Sequence, residues 1–243
     1  MPKLKLPNKL LLLPNPDKKH NEKWFKGRAL GNIPCPFRGI IAATVDSGKT
    51  TVIKNLLLYA DPLYDRLVIV CCDKSTKDYE DLEPHLVTDQ LPTVESFDPD
   101  YKNCLIIDDF RAKNVADKNR LDRLFGYASS HRRTTVIMAV QDLFAIWTPT
   151  IQRMSDLFVL WQTHDDNQFR MICNRVGMKE NTVNDIFSEL DFGQKDSLMI
   201  DKTAHTPAPL RKNIFDKIEF ELEPNVQDKE TPLKKKPKKK ISK

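Results

Sequence analysis

The segment Ala43-Thr44-Val45-Asp46-Ser47-Gly48-Lys49-Thr50 constrains this chain more than any other, because of what stands on either side of it. Before it, Phe37 to Ala43 forms a short apolar run of the kind that makes a buried strand. After it, Thr50 to Tyr59 repeats apolar residues at helical spacing. A strand that turns tightly into a helix leaves the first helical N–H groups unpaired and points the positive end of the helix dipole at the turn. That arrangement selects an anion. Asp46, Ser47, Gly48, Lys49, Thr50 and Thr51 are therefore expected to surround phosphates, with Lys49 reaching the β and γ oxygens and the Thr50 hydroxyl ligating Mg²⁺. The usual pattern GxxxxGK[ST] opens on glycine, and Ala43 stands in that place.

The same two element types alternate through the body of the chain. Arg66 to Cys72, Asn103 to Ile107, Thr134 to Val140 and Asp156 to Trp161 read as buried strands. Between Asp117 and Ser130, Leu121, Leu124, Phe125 and Ala128 fall at i, i+3, i+4 and i+7, the stripe of a helix packed on a sheet. A helix from Thr182 to Leu190 and a short strand from Ser197 to Ile200 follow. Strands separated by helices imply an α/β, three-layer sandwich with a mainly parallel central sheet.

The 243 residues suffice for one such domain with extensions. We expect a basic extended arm over 1–36, pinned by Trp24 and Phe25, a globular domain over 37–220, and a disordered lysine-rich tail over 221–243. Of the net +5, residues 1–28 contribute +6 and residues 234–243 contribute +7, so residues 29–233 carry −8. An acidic body with basic ends points to a polyanionic partner met through the ends. Runs such as Leu10 to Leu13 and Leu67 to Cys72 are too short to span a bilayer, so no membrane span is expected. Five cysteines without a CxxC pair argue against zinc. Cys71, Cys72 and Cys104 read as buried free thiols, which places the chain in a reducing compartment.

Further chemistry sits at two other strand ends. Cys104-Leu105-Ile106-Ile107-Asp108-Asp109 is an apolar strand ending in two carboxylates, the form of a Walker B strand. Asp108 is placed to hold the Mg²⁺ water shell and Asp109 to polarise an attacking water as general base. Gln141 ends the run Thr135 to Val140, where a polar side chain faces the γ-phosphate and orients that water.

The order of these motifs, SGKT, then IIDDF, then a helix, the pair Arg132-Arg133, a strand ending in Gln141, Pro149, and Ile151-Gln152-Arg153-Met154-Ser155-Asp156 before another strand, resembles the FtsK/HerA superfamily. Within it the short packaging ATPases of poxviruses, giant viruses, virophages and membrane-containing phages are most similar. The resemblance spans about Phe37 to Gln162. It implies a P-loop NTPase with ATP and Mg²⁺ as cofactors, assembled as a hexameric ring that drives double-stranded DNA into a viral capsid at its portal vertex. It also implies an intracellular setting, in host cytoplasm, viral factory or nucleus, with virion association. By that likeness Lys49, Asp109 and Gln141 are catalytic, and Arg153, or else Arg132 or Arg133, reaches a neighbouring subunit's ATP. Asp109 stands where family members often carry glutamate. Two other readings share the loop: a P-loop nucleotide or nucleoside kinase, and a nonenzymatic nucleic-acid-binding protein with a degenerate loop.

Overall fold

The computed structural model describes residues 33–58, 63–142, 148–162, 166–203 and 210–218. The expected arm as far as residue 32, with Trp24 and Phe25, and the tail over 221–243 lie outside the described residues. Ile33, assigned to that arm from sequence, is buried in the core.

Nine strands form one sheet: β1 (Arg38–Ala42), β2 (Arg66–Cys71), β3 (Leu86–Thr88), β4 (Asn103–Asp108), β5 (Thr134–Val140), β6 (Leu157–Leu160), β7 (Leu198–Asp201), β8 (Leu210–Lys212) and β9 (Asp216–Ile218). Their order is β3-β2-β4-β5-β1-β6-β7-β8-β9. Pairing is parallel from β3 through β6 and antiparallel from β6 through β9. The expected mainly parallel α/β sheet is thus the one observed, with an antiparallel extension on one side.

Alternation along each central strand sends side chains to two separate cores. Val68, Leu105, Val136, Ile40 and Phe158 belong to one, and Ile69, Ile106, Ile137, Ile41 and Val159 to the other. All seven residues of β5 are buried, as a strand covered on both faces requires. The second core is covered by α1 (Lys49–Leu58), which buries Ile53, Leu56 and Leu57 at i, i+3 and i+4.

The first core is covered by the run 115–131, which starts as α2 (Val115–Arg123), widens to a π segment over Leu124–Ala128 and ends as a short turn over Ser129–His131. Asn114 caps α2 by accepting from Asp117 N–H at 2.8 Å, so the helix starts two residues before the expected Asp117. Leu121, Leu124, Phe125 and Ala128 are all buried, on the face that their i, i+3, i+4 and i+7 spacing predicts. Also against this face lie α3 (Pro149–Met154), α4 (Asp166–Val176) and α5 (Glu180–Glu189). Thr148 caps α3 by accepting from Ile151 N–H at 3.2 Å, with Pro149 in the first turn, where its missing N–H costs nothing.

The expected strands shift at their ends by a residue or two. β1 begins at Arg38, β4 runs on to Asp108, and β6 spans only Leu157–Leu160. Helices α3 and α4 and strands β3, β8 and β9 had no sequence expectation. One thiol departs from its reading: Cys72 lies just past β2 and is exposed, whereas Cys71 and Cys104 are buried. Among the described residues no helix is long and apolar enough to cross a membrane.

Candidate nucleotide-binding site

Because β1, β4 and β5 are parallel, the segments that follow them emerge on the same edge of the sheet. β5 lies between β1 and β4, so Gln141 leaves the sheet between the phosphate-type loop and the two carboxylates. The loop is held low on this edge by Ala43 N–H donating to Val140 C=O at 3.0 Å, and Asp109 N–H donates likewise to Ala139 C=O at 2.9 Å. Turn and strand end are thereby tied to the same strand.

Inside the loop, Asp46 and Gly48 adopt φ of 59° and 103°. Gly48 has a conformation that side-chain-bearing residues rarely adopt, which is the reason for glycine there. Ser47 Oγ donates to Thr44 C=O at 2.8 Å and closes the turn. Val52 N–H donates to Gly48 C=O at 3.1 Å, and the N–H groups of the helix start before it face outward, as at any helix N-terminus. Asp46 and Thr51 are exposed, Gly48, Lys49 and Thr50 are half-buried, and Ser47 is buried.

Lys49, Asp108, Asp109 and Gln141 converge. Lys49 Nζ donates to Asp109 Oδ2 at 2.7 Å and lies 4.0 Å from Asp108 Oδ1. Gln141 Nε2 donates to the same Asp109 Oδ2 at 2.8 Å. Asp109 itself has φ of 48°, an uncommon backbone state for a residue with a side chain, and it turns its carboxylate toward the loop. Burial pushes the Asp108 carboxyl above the usual carboxylate range, opposed by a hydrogen bond from Tyr79 and the charge of Lys49.

Tyr79 carried no signal in the sequence. It lies between β2 and β3, opens a 3₁₀ turn over Glu80–Leu82, and donates its hydroxyl to Asp108 Oδ2 at 2.7 Å. Arg111 was also missed; with Asp109, Phe110, Val140, Gln141 and Asp142 it lines a small cleft at this edge.

The other candidate arginines are elsewhere. Arg132 and Arg133 precede β5, and Arg153 sits in the last turn of α3 before β6, so all three lie at the opposite edge of the sheet from Lys49. Asp156 N–H donating to Arg38 C=O at 2.8 Å fixes that edge beside the start of β1. Arg153 is exposed, Arg132 half-buried and Arg133 buried. The structure therefore does not bring Arg132 or Arg153 to the Lys49 cluster of the same chain, because parallel strands carry their two ends to opposite edges.

The residues present fit a hard divalent cation. Asp108 Oδ1 is buried without a hydrogen-bond partner, and such an oxygen is suited to a metal or its water shell. Among the described residues no three His, Cys, Asp or Glu side chains form a metal cluster, so Thr50 and Asp108 would share the ion with phosphate oxygens and water, as Mg²⁺ prefers.

No protein-family model matches the chain, and no curated protein matches it. Solved structures do. The chain is similar to the genome packaging NTPase B204 from Sulfolobus turreted icosahedral virus 2 in complex with sulfate, at TM-score 0.51 and 16% identity over 74% of this chain and 96% of that one. The AMPPCP complex of that NTPase gives TM-score 0.51 and 18% identity over 74% and 97%. B204, the DNA-packaging ATPase from Sulfolobus Turreted Icosahedral Virus, gives TM-score 0.51 and 16% identity over 73% and 97%. At such identities the likeness establishes the fold alone, an α/β fold with a large, mostly parallel sheet like that of these NTPases.

Proposed function

We propose that the chain is an ATP-hydrolysing motor that moves double-stranded DNA and packages a viral genome into a capsid. The observation that carries the chemical half is the meeting of Lys49 and Gln141 on one oxygen of Asp109, at 2.7 and 2.8 Å. A cation for phosphate charge, a base for water and an amide to orient that water then stand at one sheet edge.

In this reading the backbone of Asp46 to Thr51 encloses the phosphates and Lys49 neutralises the β and γ oxygens. Bound Mg²⁺, held by Thr50 and the Asp108 side, would polarise the terminal phosphate. Asp109 takes a proton from the attacking water, and Gln141 aims that water. Lys49 must exchange Asp109 for phosphate as the nucleotide enters.

Likeness to a genome-packaging NTPase supports the motor half. Packaging implies a homo-oligomeric ring, which we take as hexameric, docked at the portal vertex. The position of Arg153 and Arg132 at the far edge supports a shared site, since either would act only on a neighbour's nucleotide. A reducing intracellular setting follows from this reading. The deciding experiment measures ATP turnover by the full chain with and without duplex DNA, alongside displacement of a DNA-bound third strand. The proposal requires DNA-stimulated turnover and strand displacement; phosphoryl transfer to a nucleoside without DNA stimulation refutes it.

A further inference from the structure

Tyr79 touches the carboxylate assigned to the cation. Its hydroxyl donates to Asp108 Oδ2 at 2.7 Å. The side chain is 2% exposed and belongs to the core on the α1 face of the sheet, so its ring is fixed by packing and water does not compete for the bond. The other Asp108 oxygen, Oδ1, is the one buried without a hydrogen-bond partner.

We infer that Tyr79 is a positioning residue for the metal half of the site: it fixes the Asp108 carboxylate through Oδ2 and so presents Oδ1 to the divalent cation that Thr50 also serves. A carboxylate with no such tie can rotate about its Cβ–Cγ bond and offer either oxygen to Lys49, whose Nζ lies 4.0 Å from Oδ1. The bond from Tyr79 removes that freedom before any ligand arrives. Groups that orient a metal's ligands in this way commonly matter to affinity nearly as much as the ligands. The donor also partly satisfies a carboxylate that burial would otherwise leave bare.

The inference rests on the nucleotide-site reading, and binding without turnover tests it. Calorimetric titration of the full chain with ADP, in chelator and then in Mg²⁺, measures how much the cation tightens binding. For Tyr79→Phe we expect unchanged metal-free ADP affinity, which also shows the variant folded, and a Mg²⁺-dependent gain smaller by roughly tenfold. Asp108→Asn should lose at least as much, and the double variant no more than Asp108→Asn alone, because Tyr79 acts through Asp108. An undiminished Mg²⁺ gain in Tyr79→Phe, a larger one, or additive losses in the double variant overturns the inference while leaving the site reading intact. Wild-type protein that binds no ADP, or binds it without regard to Mg²⁺, overturns both. If Tyr79→Phe does not fold, Asp108→Asn and Thr50→Ala still decide, since either one retaining the full Mg²⁺ gain removes the ligand set that Tyr79 is said to position.

Discussion

The Lys49 ammonium is engaged by Asp109 at 2.7 Å, so phosphate must compete with a carboxylate for it. Asp109→Asn keeps the side-chain shape and releases Lys49. We expect ATP binding at least as tight as in the wild type, with hydrolysis slower by roughly 10²–10⁴-fold, the usual contribution of a general base. Lys49→Ala should instead lose binding. Calorimetry with a non-hydrolysable analogue and single-turnover hydrolysis separate the two, and Asp109→Asn hydrolysing at the normal rate would send the search for the base elsewhere.

Gly48 supplies a second test. A Cβ built there meets nothing within 4 Å, so Gly48→Ala is costly through its φ of 103° alone. The strain is about 1–3 kcal/mol and is borne by the loop. Nucleotide affinity should fall about tenfold or more for such a cost, while the thermal midpoint moves by a few degrees. A large loss of Tm with unchanged affinity contradicts this.

Arg153 and Arg132 are expected to act across a subunit boundary. A mixture of Arg153→Ala and Asp109→Asn subunits should turn over more ATP than either alone, because some interfaces pair an intact arginine with an intact Asp109. The same mixture with Arg132→Ala tests the alternative. Arg133→Ala completes the set, and turnover no greater than the sum of the two separate variants, for all three arginines, argues against a shared site.

Asp196 gives a pH-dependent contribution just before β7, on the antiparallel side of the sheet. It accepts from Asn213 Nδ2 at 2.6 Å and from Gly193 N–H at 2.9 Å, and pairs with Lys212 at 3.1 Å. These contacts, Asn213 foremost, hold its carboxyl down to about 2. Its folded-state value lies below the unfolded one, so the stabilisation is present above about pH 4 and is lost as pH falls toward 2. The side chain is 27% exposed, and solvent screening reduces the contribution to about 1 kcal/mol. Urea melts should show Asp196→Ala destabilised by that amount at pH 7, with the difference shrinking in acid.

The lysine-rich segment lies outside the described residues but makes its own prediction. Residues 234–243 hold seven Lys and no acid beside a body of −8. Deleting them should spare basal ATP hydrolysis, weaken duplex DNA binding, and lower the salt slope by about 0.9 for each phosphate that the segment had neutralised. An unchanged slope assigns the grip to other residues.

The central sheet was legible because β1, β2, β4 and β5 are short apolar runs buried on both faces, and their length and β-branched content separate them from buried helices. The positions of Lys49, Asp108, Asp109 and Gln141 could be read for the same reason, since each follows such a run. Strands β8 and β9 have three residues each, too few for a period to develop, and β8 buries the polar Arg211 while β9 exposes Asp216 and Lys217. Helix α3 announces itself only by Thr148-Pro149, a capping signal masked by the stronger pattern of the strand that follows. Tyr79 was invisible because its place at Asp108 depends on how the 73–79 loop crosses the sheet edge. Arg111 follows the two carboxylates in sequence, and that adjacency was the available signal.

β5 has one further consequence. Its seven residues, all buried and bonded to β4 and β1 on either side, span about 23 Å as a rod with little freedom to bend. Gln141 sits at one tip and Arg132-Arg133 at the other. The amide that faces the carboxylates and the arginine pair are therefore held at a fixed separation, one on each edge of the sheet.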